Sequence, residues 1–168
     1  MAAILIRTTD FTTGQTKIAQ GNYTDLGSYL NRYEQDYLVN LLGVDLYTLF
    51  AAQVTSYTVA AGIYKDLYDP FKVDEGNSII ESKGMLEMLK GFMYFEYMRK
   101  SQIKNTAFGA VKQVSEVSRE SAYTEFNIYA AYNESINTYN AIQWYIKDND
   151  TVYPSYNGQC LSISHWSI

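Results

Sequence analysis

His165 is the chain's one histidine and Cys160 its one cysteine, and both lie close to the C-terminus. These residue types most often supply acid–base, nucleophilic and zinc chemistry, and one of each is little to build a site from. A Ser–His–Asp arrangement would have to use His165 in a terminal tail, a poor rigid platform. Cys160 has no partner in the chain, so no internal disulfide can form, and a reducing compartment is expected. Asp148–Asn149–Asp150 matches part of a calcium loop but lacks the following glycine and the bidentate glutamate, so it reads as a solvated helix end. Asp66 and Asp69 read as surface carboxylates, and nothing picks out a glycosidase pair. Gly109 follows Thr106–Ala107–Phe108 with neither a lysine nor a second glycine, so it makes no phosphate loop. These residue types point away from an enzyme, and no metal or cofactor is expected.

The chemistry that is abundant is tyrosine, seventeen among 168 residues. A tyrosine ring is large and apolar, and its hydroxyl needs a partner, so the residue suits surfaces that are wet before association and buried after it. A blander explanation is that tyrosine replaces phenylalanine inside a helical core. Aromatic stripes at helical spacing favour the core over a platform for sugars or bases.

Hydrophobic content of 47% with 18% charged residues describes one globular domain rather than a disordered chain. A formal charge of −5 argues against nonspecific binding of nucleic acid. The apolar start, Met1 to Ile6, is too short for a secretory signal, and no apolar run is long enough to cross a bilayer.

The elements that would carry these residues are mostly helical. Residues 1–20 are apolar from Ala2 to Ile6 and then Thr/Gly-rich, which predicts an extended arm with one strand. Leu26, Leu30, Tyr33, Tyr37 and Leu41 recur at steps of three and four and predict a helix ended by Gly43. Leu46, Tyr47, Leu49 and Phe50 make a second short helix, and Pro70 closes a turn around Tyr64 to Tyr68. Ser78 with Glu81 has the spacing of a capping box and predicts a helix from there to about Ile103 that is apolar nearly all round. A last long helix is expected from about Ser118 or Ser121 to Lys147, with a stripe of Ala122, Phe126, Tyr129, Tyr132, Ile136, Tyr139, Ile142 and Ile146. The fold class is therefore mainly α: a small helical bundle with two long helices, an extended N-terminal arm (1–20) and an extended C-terminal tail (149–168) around a helical domain (21–148).

Several stretches together resemble the small helical head-to-tail connector (adaptor) proteins of tailed bacteriophages. The opening is Tyr29–Leu30, Tyr33–Glu34, Tyr37–Leu38, Leu41–Leu42–Gly43 and Leu46–Tyr47. Gly84–Met85–Leu86, Phe92–Met93–Tyr94–Phe95, Arg99, Asn105–Thr106 and Gly109–Ala110–Val111 follow. Tyr132–Asn133–Glu134 and Ala141–Ile142–Gln143–Trp144–Tyr145–Ile146 close the series, so the likeness spans roughly residues 25–147. It implies a non-enzymatic virion protein, a homo-oligomeric ring of about a dozen subunits below the portal protein that carries tail components. DNA would pass through its channel without specific binding, which the acidic balance suits. Another tail-completion or virion structural protein is the alternative, and a polysaccharide-active enzyme a more distant one.

The resemblance also implies that the termini reach neighbouring proteins. Pro154 and Gly158 stop any helix, and Tyr153, Tyr156, Leu161, Ile163 and Trp166 are apolar enough to need cover, so these five are the expected partner-binding residues. The alternation from Cys160 to Trp166 suits strand addition to a sheet edge. A strand paired with residues 2–6 of the same chain is the competing expectation.

Overall fold

A computed structural model describes residues 3–18, 23–76, 78–101, 103–106, 109–112 and 119–158. A 3-10 turn at Thr8–Phe11 precedes α1 (Tyr23–Leu42) and α2 (Val44–Ala51). A minimal hairpin, β1 (Val54–Thr55) with β2 (Thr58–Val59), leads to α3 (Ile63–Tyr68). A second hairpin joins β3 (Phe71–Asp74) to β4 (Ile79–Ser82), followed by α4 (Met85–Ser101). A third joins β5 (Ile103–Thr106) to β6 (Gly109–Lys112), and α5 (Arg119–Asp148) follows. The protein is mostly helical with small two-stranded sheets, all antiparallel among the described residues.

The core lies where α4 and α5 pack against each other and α1 crosses α4. Leu26, Leu30, Leu38, Leu41 and Leu42 are buried, so the periodic stripe on α1 does face inward. On α5, Tyr132, Ile136, Tyr139, Ile142 and Ile146 are buried as their spacing predicts. Phe126 was expected in that stripe and is instead 56% exposed. The reason is the antiparallel register: Gly91 sits against Ala131 and Ser135, and Phe95 against Tyr129 and Tyr132. Continued to its end, that register brings Ser101 level with residue 125, so α4 ends almost opposite Phe126 and little of it is left to cover the ring.

Gly91 sets the closest approach of the two helices. A Cβ there would stand 2.7 Å from the Ala131 carbonyl oxygen and would overlap the Ser135 hydroxyl, which itself donates to that carbonyl at 3.0 Å. Alanine is the better helix former by about 1 kcal/mol, but overpacking typically costs about 1–3 kcal/mol. Backbone cannot yield as a flexible side chain can, so packing wins. Gly91→Ala is expected to lower the melting temperature, and a rise would show that the helices can part freely.

Ser78 and Glu81 do not cap a helix. Asp74 accepts the Gly76 amide at 3.0 Å in a turn where Gly76 has φ +69°, and this folds Phe71–Asp74 back on Ile79–Ser82. Val73, Ile79 and Ile80 are β-branched residues that suit the strands so formed. The helix start moves to Met85, preceded by Ser82, whose hydroxyl accepts the Gly84 amide at 3.1 Å.

Residues 3–18 form no strand and no free arm. Leu5, Ile6, Phe11 and Ile18 are buried in the bundle's own core, because an extended arm would leave them in water. The tail likewise folds back over residues 149–158. The Asn149 carbonyl accepts the amides of Val152 and Tyr153, turning the chain at the end of α5. Gly43 and Gly158 then lie so close that a Cβ on Gly43 would overlap Asn157, and one on Gly158 would overlap the Leu41 carbonyl. Gly43, at φ +79°, thus serves both the α1–α2 corner and the docking of the tail upon it.

Candidate assembly surface

Of the five expected partner-binding residues, Tyr153 proves to belong to its own core. It is 2% exposed, its ring centroid lies 6.4 Å from that of Tyr145, and its hydroxyl donates to the Ile63 carbonyl at 2.8 Å. Burial pushes its hydroxyl well above the ordinary tyrosine range. Tyr156 is half-buried and packs on the same core. The reason is that α3 and the end of α5 leave an apolar gap that the first turn of the tail can reach. Leu161, Ile163 and Trp166 lie outside the described residues, as do Cys160 and His165.

The tyrosine surplus is largely absorbed in the same way. Tyr94, Tyr97, Tyr132, Tyr139 and Tyr153 are buried, and nine further tyrosines pack half-buried around the core. The Tyr37 ring stacks on Phe92 at 4.3 Å with 4° between planes, and its hydroxyl donates to Glu96 at 3.4 Å. Burial, with the Glu96 charge added, holds that hydroxyl well above its ordinary range. Lys100 donates to the Tyr33 hydroxyl and lies over the Tyr29 and Tyr33 rings, 5.6 and 4.6 Å from their centroids. Tyrosine here is largely a core residue whose hydroxyl reaches the core's edge.

Glu34 is the functional-looking residue that sequence reasoning missed. It is 2% exposed and clasps the N-terminal segment: Oε1 accepts the Ile4 amide at 2.7 Å, and Oε2 accepts Leu5 at 3.2 Å and Ile6 at 3.0 Å. The available signal was its place on the buried stripe, four residues from both Leu30 and Leu38. Burial raises its carboxyl pKa, and the three amides pull it partly back. Because the folded value lies above the unfolded one, Glu34's contribution is fully present below the unfolded pKa and is lost as pH rises through the folded one. The stability of the wild type relative to Glu34→Gln is therefore expected to improve as pH falls from neutral toward the ordinary glutamate range. Glu34→Ala leaves the three amides without this acceptor and is expected to cost at least about 2 kcal/mol. Denaturant melts across pH check both, and a flat difference profile would contradict the first.

Other clusters are already satisfied. Lys83 pairs with Glu134 and Lys90 with Glu87 around a polar notch of about 250 Å³ between α4 and α5. Among the described residues no group of three or more His, Cys, Asp or Glu could hold a metal ion, and no helix is long and apolar enough to cross a membrane.

Among the described residues, one end of the molecule reaches past the α4–α5 core. In the α4–α5 register, about two turns of α5 run past Ser101, roughly 10 Å at 1.5 Å per residue. The β5–β6 hairpin leaves the same end, and its main packing outside its own two strands is with the end of α4 that leads into it. Comparison with known protein families, with characterised proteins and with solved structures gives no match.

Proposed function

We propose that this chain is a structural subunit of a tailed phage's head-to-tail connector, assembling as a ring of about a dozen copies between the portal protein and the tail. The observation that carries this reading is the end of the molecule where the turns of α5 run past the end of α4, with Phe126 exposed there and the β5–β6 hairpin leaving the same end. An exposed aromatic ring beyond the packed helices suits contact with another chain. The likeness of residues 25–147 to connector proteins names the assembly, and the net charge of −5 suits a channel through which DNA slides without adhering. The assembly works by binding alone.

Portal rings of the parent phage, mixed with the folded chain and viewed by electron microscopy, should gain a collar. Portal rings that stayed bare beside a folded chain would overturn the reading.

A further inference from the structure

A strand edge left open in a small sheet is a template for another strand. Among the described residues β4 pairs with β3 alone, and an open groove of about 420 Å³ runs between β4 and α5. Ile79, Ile80, Ala141 and Trp144 line it and no residue of β3 does, so it follows the edge of β4 that β3 leaves free. Ala141 and Trp144 are three residues apart and share one face of α5. Ile79 is 62% exposed at the rim, an apolar side chain left in water.

The described chain stops within reach of this groove. Tyr153 packs on Tyr145, the neighbour of Trp144, and Gly158 follows five residues on, against the Leu41 carbonyl. Residues 159–168 come next, ten residues that extend to about 33 Å, roughly the width of a small domain. They include no Asp, Glu, Lys or Arg, and from Cys160 to Trp166 Leu161 and Ile163 alternate with Ser162 and Ser164. An uncharged stretch of period two suits a strand with one face against an apolar groove.

Other edges fit it less well. Glu34 holds the amides of Ile4, Leu5 and Ile6, so residues 2–6 do not offer a row of free donors. β1 and β2 have two residues each, too few to template a strand of seven. The β5–β6 hairpin leaves the end of α4, at the opposite end of α5 from the tail.

We infer that residues 160–166 add as a strand to the free edge of β4 and close the groove of their own chain. A tether this short keeps the segment at about millimolar effective concentration, above what a second copy supplies at micromolar protein, so the contact forms within one chain.

Cross-linking in the full-length chain tests this. Cys160→Ser with Ser164→Cys puts one cysteine in the segment, and Asn140→Cys puts a second in the groove. A parallel variant carries Val44→Cys in place of Asn140→Cys, at an exposed site beside Asn157 that an undocked tail would meet at least as often. Far-UV circular dichroism establishes that each variant is folded. A short bismaleimide should join the segment to position 140 about tenfold faster than to position 44, and within monomers. Trp166→Phe leaves Trp144 as the one tryptophan, and acrylamide should quench it less in the full chain than in a chain ending at Gly158. Ile163→Asp should abolish that protection. Equal linking at the two positions, links that join two chains, or Trp144 quenched alike with and without the segment would each overturn the proposal.

Discussion

Phe92→Ala is expected to be among the most damaging single substitutions in the core, costing about 3–5 kcal/mol and lowering the melting temperature by roughly 10 °C. Phe92 is fully buried, stacked on Tyr37 and met edge-on by Tyr132 at 5.6 Å and Tyr139 at 6.3 Å. It therefore joins α1, α4 and α5 at one point, and its removal takes a partner from three rings at once. Of the three, the Tyr37 ring is the one restrained from moving into the space, by the bond of its hydroxyl to Glu96. A melting temperature within about 2 °C of the wild type would show that the three helices are not held together here.

Removing residues 151–168 is expected to destabilise the bundle itself, contrary to what an extended, partner-seeking tail would do. The loss should be graded. Tyr153→Phe gives up the bond to the Ile63 carbonyl and should cost about 1 kcal/mol, whereas Tyr153→Ala also empties the site and should cost about 3 kcal/mol or more. A chain ending at Gly158 provides the reference for a chain ending at Asp150, so that the loss is assigned to Tyr153 and its neighbours. Alkaline pH offers a second readout. Tyr153 has a raised folded pKa, so its contribution is complete below the unfolded value near 10 and is lost as pH climbs beyond it. Tyr153→Phe should flatten that decline. A chain cut at Asp150 that melted like the one cut at Gly158 would return the tail to the role of a free arm.

The comparison between tail and helices shows what a single sequence can carry. The stripes of α1 and α5, the corner at Gly43 and the burial of most of α4 were legible because each depends on neighbours three or four residues away. The β3–β4 hairpin was not. Ser78 and Glu81 have capping-box spacing, yet the Asp74–Gly76 turn and strand pairing from Phe71 to Ser82 prevail. A local signal lost to a cross-strand one.

Tyrosine content was read as a mark of assembly because burial against other chains and burial against one's own require the same chemistry, and composition does not separate them. The candidate surface was equally hidden. An apolar surface in need of cover was expected in the tail, where apolar residues are dense, whereas Tyr153 and Tyr156 pack on the core and Phe126 is exposed.

By itself the sequence determined a mainly helical domain of acidic charge, poor in histidine and cysteine, with apolar stripes at helical spacing. These follow from residue types and short spacings. Only the tertiary structure decided that both termini, as far as they are described, fold inward, that Glu34 is a buried clasp and that Phe126 is exposed. Each of those depends on which element comes to lie opposite, such as where α4 ends along α5, and that is set by packing between residues far apart in the chain.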